Sequence, residues 1–451
     1  MFLQSDDTET LWEKNRQYLW NPFTQMKTYL DDEPLIIQRG EGVRLVDIHG
    51  NSYYDGYASV WLNVHGHNHP RLNEAIREQL DQIAHSTLLG AANVPAILLA
   101  ERLVSITPPS LRKVFYSDSG AEAVEIALKM AFLYWKRKGR PEKNTFLCMG
   151  NAYHGDTVGA VSVGGMDLFH AAYDKLLFPT LRTPYPHPYR FDGTEQECLD
   201  SCLEKLRRHL DESGDTIAAL ILEPMMQGAA GMIRMPAGFL KKTEELCRQH
   251  DVLLIADEVA TGFGRTGAMF ACDHEGVQPD LMALGKKLTG GYLPVAATLT
   301  SDAIYEAFYG DYEEMKTFFH GHSYTGNQLG CAVALANLDL YEETDLLSHV
   351  DRLSRAILSE WEPMRQRRHV GDIRQLGLMI GIELVKDRKT RESFAWADAV
   401  GVKVCRRARD LGLLTRPLGN VITLMPPLAV SQEDLTAMIA ILDQAIREVT
   451  E

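Results

Sequence analysis

The sequence predicts an α/β fold: a large domain on a mainly parallel sheet flanked by helices, with a smaller α+β domain. Three observations predict it. From about residue 60 to 330, strand-like and helix-like stretches alternate, the rhythm of crossover connections that lay strands parallel. The strands are short and uniformly apolar, as strands covered on both faces must be. Ile217 to Leu222 and Val252 to Ala256 are such runs, with a helical pattern at 237–250 between them. With 451 residues, 45% of them hydrophobic and 24% charged, the chain can bury a large core and divide in two.

In chain order, residues 1–59 form an N-terminal segment expected to join the small domain and line the active-site cleft. Residues 60–330 are the expected large domain. Within it Val114-Phe115-Tyr116 reads as a strand, Ser117 to Gly120 as a turn, and Ala121 to Ala131 as a strong helix. Gly150 to Thr157 is a turn of small residues around Tyr153. The strand at 252–256 carries Asp257 to its end, and the strand before Gly285 delivers Lys286 into a glycine-rich turn. Residues 331–451 are the expected small domain, entered through a helix from Gln328 to Glu343. It continues with a strand over 377–384 and ends in a helix from Gln432 to Val449.

Ligands of such sheets sit at the carboxyl ends of the strands, where Asp257 and Lys286 both fall. A lysine among apolar neighbours loses its proton easily, and the neutral amine forms a Schiff base with an aldehyde. A nearby carboxylate keeps a pyridine nitrogen protonated. Together they point to pyridoxal 5'-phosphate. Its phosphate needs backbone N–H donors at a helix start, which Ser119, Gly120 and Ala121 supply. Tyr153 is placed to stack on a pyridine face. Singly, each has an ordinary reading: surface lysines, a strand-end aspartate, a serine cap, a packed tyrosine.

These segments, with Glu223-Pro224 and the run from Asp257 to Gly291, resemble the class III (ω-amino acid) pyridoxal-phosphate aminotransferases over nearly the whole chain. The resemblance implies fold type I and a cytoplasmic homodimer with shared active sites. Lys286 would hold the cofactor and shuttle a proton as base and acid. Ser323 would reach the phosphate from the other subunit. Within the class, Trp20 to Met26, His65 to Pro70, Tyr116 to Gly120 and Thr415 to Gly419 resemble the branch that converts 8-amino-7-oxononanoate to 7,8-diaminononanoate in biotin biosynthesis. A general ω-amino acid or diamine:pyruvate aminotransferase is the alternative. The resemblance further implies that Arg416 clamps a substrate carboxylate and that Arg265 sits at the substrate pocket. Phe23, Val60 and Trp61 would line that pocket, Phe23 and Val60 replacing a tyrosine and a tryptophan of the S-adenosylmethionine-using branch. The amino donor is L-lysine or S-adenosylmethionine, and the less polar pair favours lysine.

Other classes fit less well. A net charge of −15 speaks against nucleic acid or anionic membranes as partners, leaving small-molecule donor and acceptor. Seven scattered cysteines without a Cys-x-x-Cys pair suggest reduced thiols. The acidic start, Met1 to Glu9, lacks the basic and apolar blocks of a signal peptide. Gly262-Phe263-Gly264-Arg265-Thr266-Gly267 matches a dinucleotide fingerprint, but no helix pattern follows it. His65, His67 and His69 alternate, as do His320 and His322, yet no cysteine or carboxylate pair completes a ligand set, so no metal is expected.

Overall fold

A computed structural model of the chain describes residues 8–31 and 34–451; the acidic start, residues 1–7, lies outside them. A seven-stranded sheet organises the molecule. Its strands in chain order are β1 (Lys113–Ser117), β2 (Thr145–Met149), β3 (Leu181–Thr183), β4 (Ile217–Leu222), β5 (Leu253–Asp257), β6 (Leu281–Leu284) and β7 (Ala296–Thr300). Their order across the sheet is β1-β7-β6-β5-β4-β2-β3. The run from β6 to β3 is parallel, while β7 lies antiparallel to both β6 and β1. Every residue of β4 to β7 is buried, so the uniformly apolar runs follow from cover on both faces.

The registers place the chemistry. Asp257 is the last residue of β5 and pairs with Ala283 of β6, so the chain leaving β6 puts Lys286 beside it at the same sheet edge. The helix Gly120–Arg137 packs across the sheet and starts at that edge.

The smaller part is antiparallel. Val370–Leu376, Met379–Leu384, Val421–Leu424 and Pro417–Leu418 form one sheet; the helix Val400–Asp410 packs on its last two strands, and Gln432–Thr450 packs on that helix. The N-terminal segment supplies Ile37–Glu41, Arg44–Asp47 and Ser52–Asp55, and the last of these pairs in parallel with Leu413–Leu414. The expected boundaries at 59/60 and 330/331 both fall within elements. A cut after residue 330 would sever the helix Gln328–Glu343, which packs on Pro70–Leu80 and Val94–Ile106, and a cut at 59 would split a single turn at 58–61. Among the described residues no helix is long and apolar enough to cross a membrane.

Candidate active site

Lys286 follows β6 in a short 3₁₀ turn, with its own φ at 47°. Its amine lies 5.0 Å from the centre of the Trp61 ring. Burial lowers its pKa, opposed by the carboxylates of Asp257 and Glu223 and reinforced by the guanidinium of Arg416. The neighbouring Lys287 is fully buried and differently employed. Its Nζ donates to Ala260 O at 2.8 Å, and its own carbonyl accepts from Asn337. Lys286 is therefore the amine left for a ligand.

Asp257 is held from two sides. Oδ2 meets His154 Nδ1 at 2.6 Å, both side chains buried, and Oδ1 accepts from Val259 N at 3.0 Å. Below this pair lies Glu223, fixed by the N–H groups of Tyr153 (3.1 Å) and Gly228 (2.9 Å). Burial pushes its carboxyl up to about 7. Tyr153 donates its hydroxyl to Asp156 at 2.8 Å, and burial keeps the phenol protonated above its ordinary range.

The helix Gly120–Arg137 starts on Ser119, in a capping box with Glu122. Glu122 accepts the N–H groups of Asp118 and Ser119, while those of Gly120 and Ala121, in the first turn, have no acceptor within the helix. A Cβ at Gly120 would stand 2.5 Å from Val259 Cγ1, so only glycine lets the helix start come so near the chain after Asp257. A pair of open amides at a positive helix end, beside an amine and a buried carboxylate, fits a phosphorylated pyridine aldehyde. The indole N–H of Trp61 and Nε2 of His154, buried without partners, are further polar atoms a ligand would meet.

Toward solvent, Phe23 packs edge-on against Phe169 at 5.4 Å, and Phe169 lies 6.2 Å from Tyr153. Phe23 and Phe169 border a cavity of about 590 Å³ whose wall includes Asp156, Val158 and Tyr173. Val60 is exposed and Trp61 buried. Arg416 has no ion-pair partner among the described residues and is close enough to Lys286 and Tyr153 to lower the pKa of both groups. The structure thus brings Lys286, Asp257, Tyr153, Trp61 and Arg416 together. It does not open Arg265: expected at the substrate pocket, that side chain is fully buried, with Nη1 donating to Pro426 O at 2.6 Å. Ser323 lies exposed in a loop whose carbonyl accepts from His85.

The glycine pattern at 262–267 leads into a turn and the short 3₁₀ segment Ala271–Glu275, so it opens no α-helix and lacks the dinucleotide geometry. Of the alternating histidines, His67 pairs with Asp55 at 2.8 Å and His65 lies between the rings of His69 and Tyr341, edge-on to the latter. Asp118, Glu122 and His322 come within ligating reach of one another, but the Glu122 carboxylate is already committed to the helix cap. The roles of His154 and Glu223 are not evident from sequence; His154 directly follows Tyr153, the one local sign of it.

The family pattern "Aminotransferase class-III" matches residues 27–446. A protein of Anoxybacillus flavithermus named adenosylmethionine-8-amino-7-oxononanoate aminotransferase is 56% identical, over 97% of both chains. The crystal structure of the protein of that name from Methanocaldococcus jannaschii superposes with a TM-score of 0.94 at 44% identity, over 99% of this chain and 100% of the other. An ω-transaminase from Pseudomonas jessenii, crystallised in complex with PMP, superposes at 0.92 with 33% identity over 97% of this chain and 99% of the other.

Proposed function

The chain belongs to the class III aminotransferases, of fold type I, and from that premise we propose that it aminates 8-amino-7-oxononanoate to 7,8-diaminononanoate for biotin synthesis. The observation that carries the chemistry is the half-buried amine of Lys286, its pKa lowered by desolvation, beside the Asp257–His154 pair. The acceptor follows from the shared name of relatives at half identity or more across the whole chain. Pyridoxal phosphate, when bound, supplies an aldehyde that condenses with amines and a protonated ring that takes up an electron pair. Lys286 would hold it at Nζ and Asp257 would stand at the ring nitrogen, oriented by His154. Gly120 and Ala121 would receive the phosphate on their amides, with Ser119 capping the helix that carries them. Tyr153 would cover a ring face.

With the cofactor in place, Lys286 Nζ would take the proton from the donor's amine-bearing carbon and deliver it to the cofactor side. Arg416 would pair with a substrate carboxylate, since its planar fork matches two oxygens and is not spent on a carboxylate among the described residues. Asp156 places a negative charge at the cavity wall, suited to a cationic donor.

The relatives' names indicate S-adenosylmethionine as donor. Lysine is the second reading, supported by Phe23 and Val60, which offer a sulfonium nucleoside neither hydroxyl nor indole. We further infer a cytoplasmic homodimer. Supporting it are seven buried free cysteines and an apolar groove of about 410 Å³ between Leu88, Ile97 and Phe115, rimmed by the loop 320–325 that carries Ser323.

The test is half-reaction spectroscopy. Each donor is mixed with the yellow enzyme, loss of colour is timed, and 8-amino-7-oxononanoate is added to restore it. Faster bleaching by S-adenosylmethionine selects the first donor, and faster bleaching by lysine the second. Recovery with pyruvate but not with 8-amino-7-oxononanoate would move the protein to the general ω-amino acid aminotransferases.

A further inference from the structure

Ala58, Ser59, Val60 and Trp61 hold consecutive φ angles of 48°, 48°, 66° and 72°. This is one turn of left-handed helix, closed by Trp61 N on Tyr57 O at 2.8 Å and Leu62 N on Ala58 O at 2.9 Å. None of the four is glycine. An L-residue in a left-handed helix is strained, its Cβ crowding the following carbonyl oxygen, so the turn persists only because its surroundings impose it.

Those surroundings converge on Asp55, fully buried at the end of the strand Ser52–Asp55. Its Oδ1 accepts from Ser59 N at 3.1 Å, and its Oδ2 accepts from Ser59 Oγ at 3.1 Å and His67 Nε2 at 2.8 Å. The imidazole is oriented in turn. Asn63 Oδ1 accepts from Gly66 N, which directs the amide nitrogen toward His67 Nδ1 at 3.4 Å. Nδ1 then accepts, and Nε2–H is the donor to Asp55.

The far end of the turn is docked on the glycines after Lys286. Val64 N donates to Gly290 O, and Gly291 lies so close that a Cβ would stand 3.0 Å from the Asn63 backbone. The outcome is that Trp61 lies against the Lys286 amine while Val60 stays exposed beside it. A right-handed or extended path through these residues would send the two side chains elsewhere.

We propose that Asp55 and His67 are positioning residues: they hold the left-handed turn and through it fix Trp61 against Lys286 and Val60 at the donor's entry. This rests on the aminotransferase reading but not on which donor or acceptor is used.

The test measures amino transfer per cofactor-loaded site, with any amine the wild-type protein accepts. His67→Ala lowers kcat/KM by roughly tenfold or more, the scale of a small misplacement of reacting groups, while cofactor loading and circular dichroism stay unchanged. His67→Gln, whose amide nitrogen can reach the same oxygen, recovers most of that loss. Ser59→Gly keeps the wild-type rate, because glycine adopts positive φ without strain. Placed on His67→Ala or Asp55→Asn, it restores most of the activity. A wild-type rate per loaded site in His67→Ala, or a loss that Ser59→Gly fails to recover, overturns the proposal. Should Asp55→Asn not fold, the His67 variants carry the test, since that side chain is 17% exposed. A wild-type protein inert to every amine would instead overturn the aminotransferase reading.

Discussion

Lys286 and Lys287 are chemically identical neighbours, and only their surroundings separate them. The Lys287 amine is bound to the backbone carbonyls of Val259 and Ala260, whereas Lys286 faces Trp61 and the acids of the site. Borohydride should therefore fix cofactor covalently to Lys287→Ala but not to Lys286→Ala; peptide mapping that finds the reverse reassigns the anchor. Arg416→Lys keeps the charge and loses the fork. KM for carboxylate substrates should rise by roughly tenfold or more while simple amines are spared, and equal losses for both would make the arginine structural. Lys286 and Asp257 were legible because apolar strands lead into both, β5 ending on Asp257 and β6 ending two residues before Lys286. The parts played by His154, Glu223 and Asp55 were not. Asp257 meets His154 across 103 positions and Glu223 meets Tyr153 across 70, and local pattern carries no trace of such contacts.

At the scale of elements, strand and helix order was legible from the apolar runs, and Ser119 was found as the start of its helix. Two features were not. The antiparallel course of β7 leaves no mark in an apolar strand buried on both faces. The left-handed turn contains no glycine to announce it. The segment after β5 also yields a test. Glu258 is fully buried, with Oε1 accepting from Cys272 N at 2.8 Å and Oε2 from the Thr261 hydroxyl. Burial raises its pKa from 4.5 to about 7. The folded chain thus binds this proton more tightly than the unfolded chain. The resulting stability is fully present below about pH 4.5 and is lost as pH rises through about 7. Thermal melts from pH 5 to 8 should show wild-type Tm falling more steeply than that of Glu258→Gln, which has no proton to lose. Parallel curves would show that Glu258 does not titrate in that window.

For the whole molecule, the groove beside Val94–Ile106 carries the dimer test. Leu89 is 90% exposed, Ile97 57% and Phe319 72%, a concentration of apolar surface unusual on a lone subunit. On the homodimer proposed above, Ile97→Asp should elute as a monomer at micromolar concentration and lose cofactor, because Ser323 would no longer reach the neighbouring phosphate. A dimer of undiminished affinity would place the interface elsewhere. The division into two parts was legible, but its boundaries fell inside a helix and a turn, where composition does not change. The parts also differ in what they contribute. Residues that would hold the cofactor sit at strand ends and a helix start of the seven-stranded sheet. Phe23, Val60, Trp61 and Arg416 come from the chain's two ends, outside that sheet. On the proposed roles, donor preference and bond-making chemistry would be largely separately heritable: substitutions at Phe23, Val60 or Arg416 would retune which amine enters while leaving the strand ends that carry Asp257 and Lys286 in place, with Trp61 the point where the two meet.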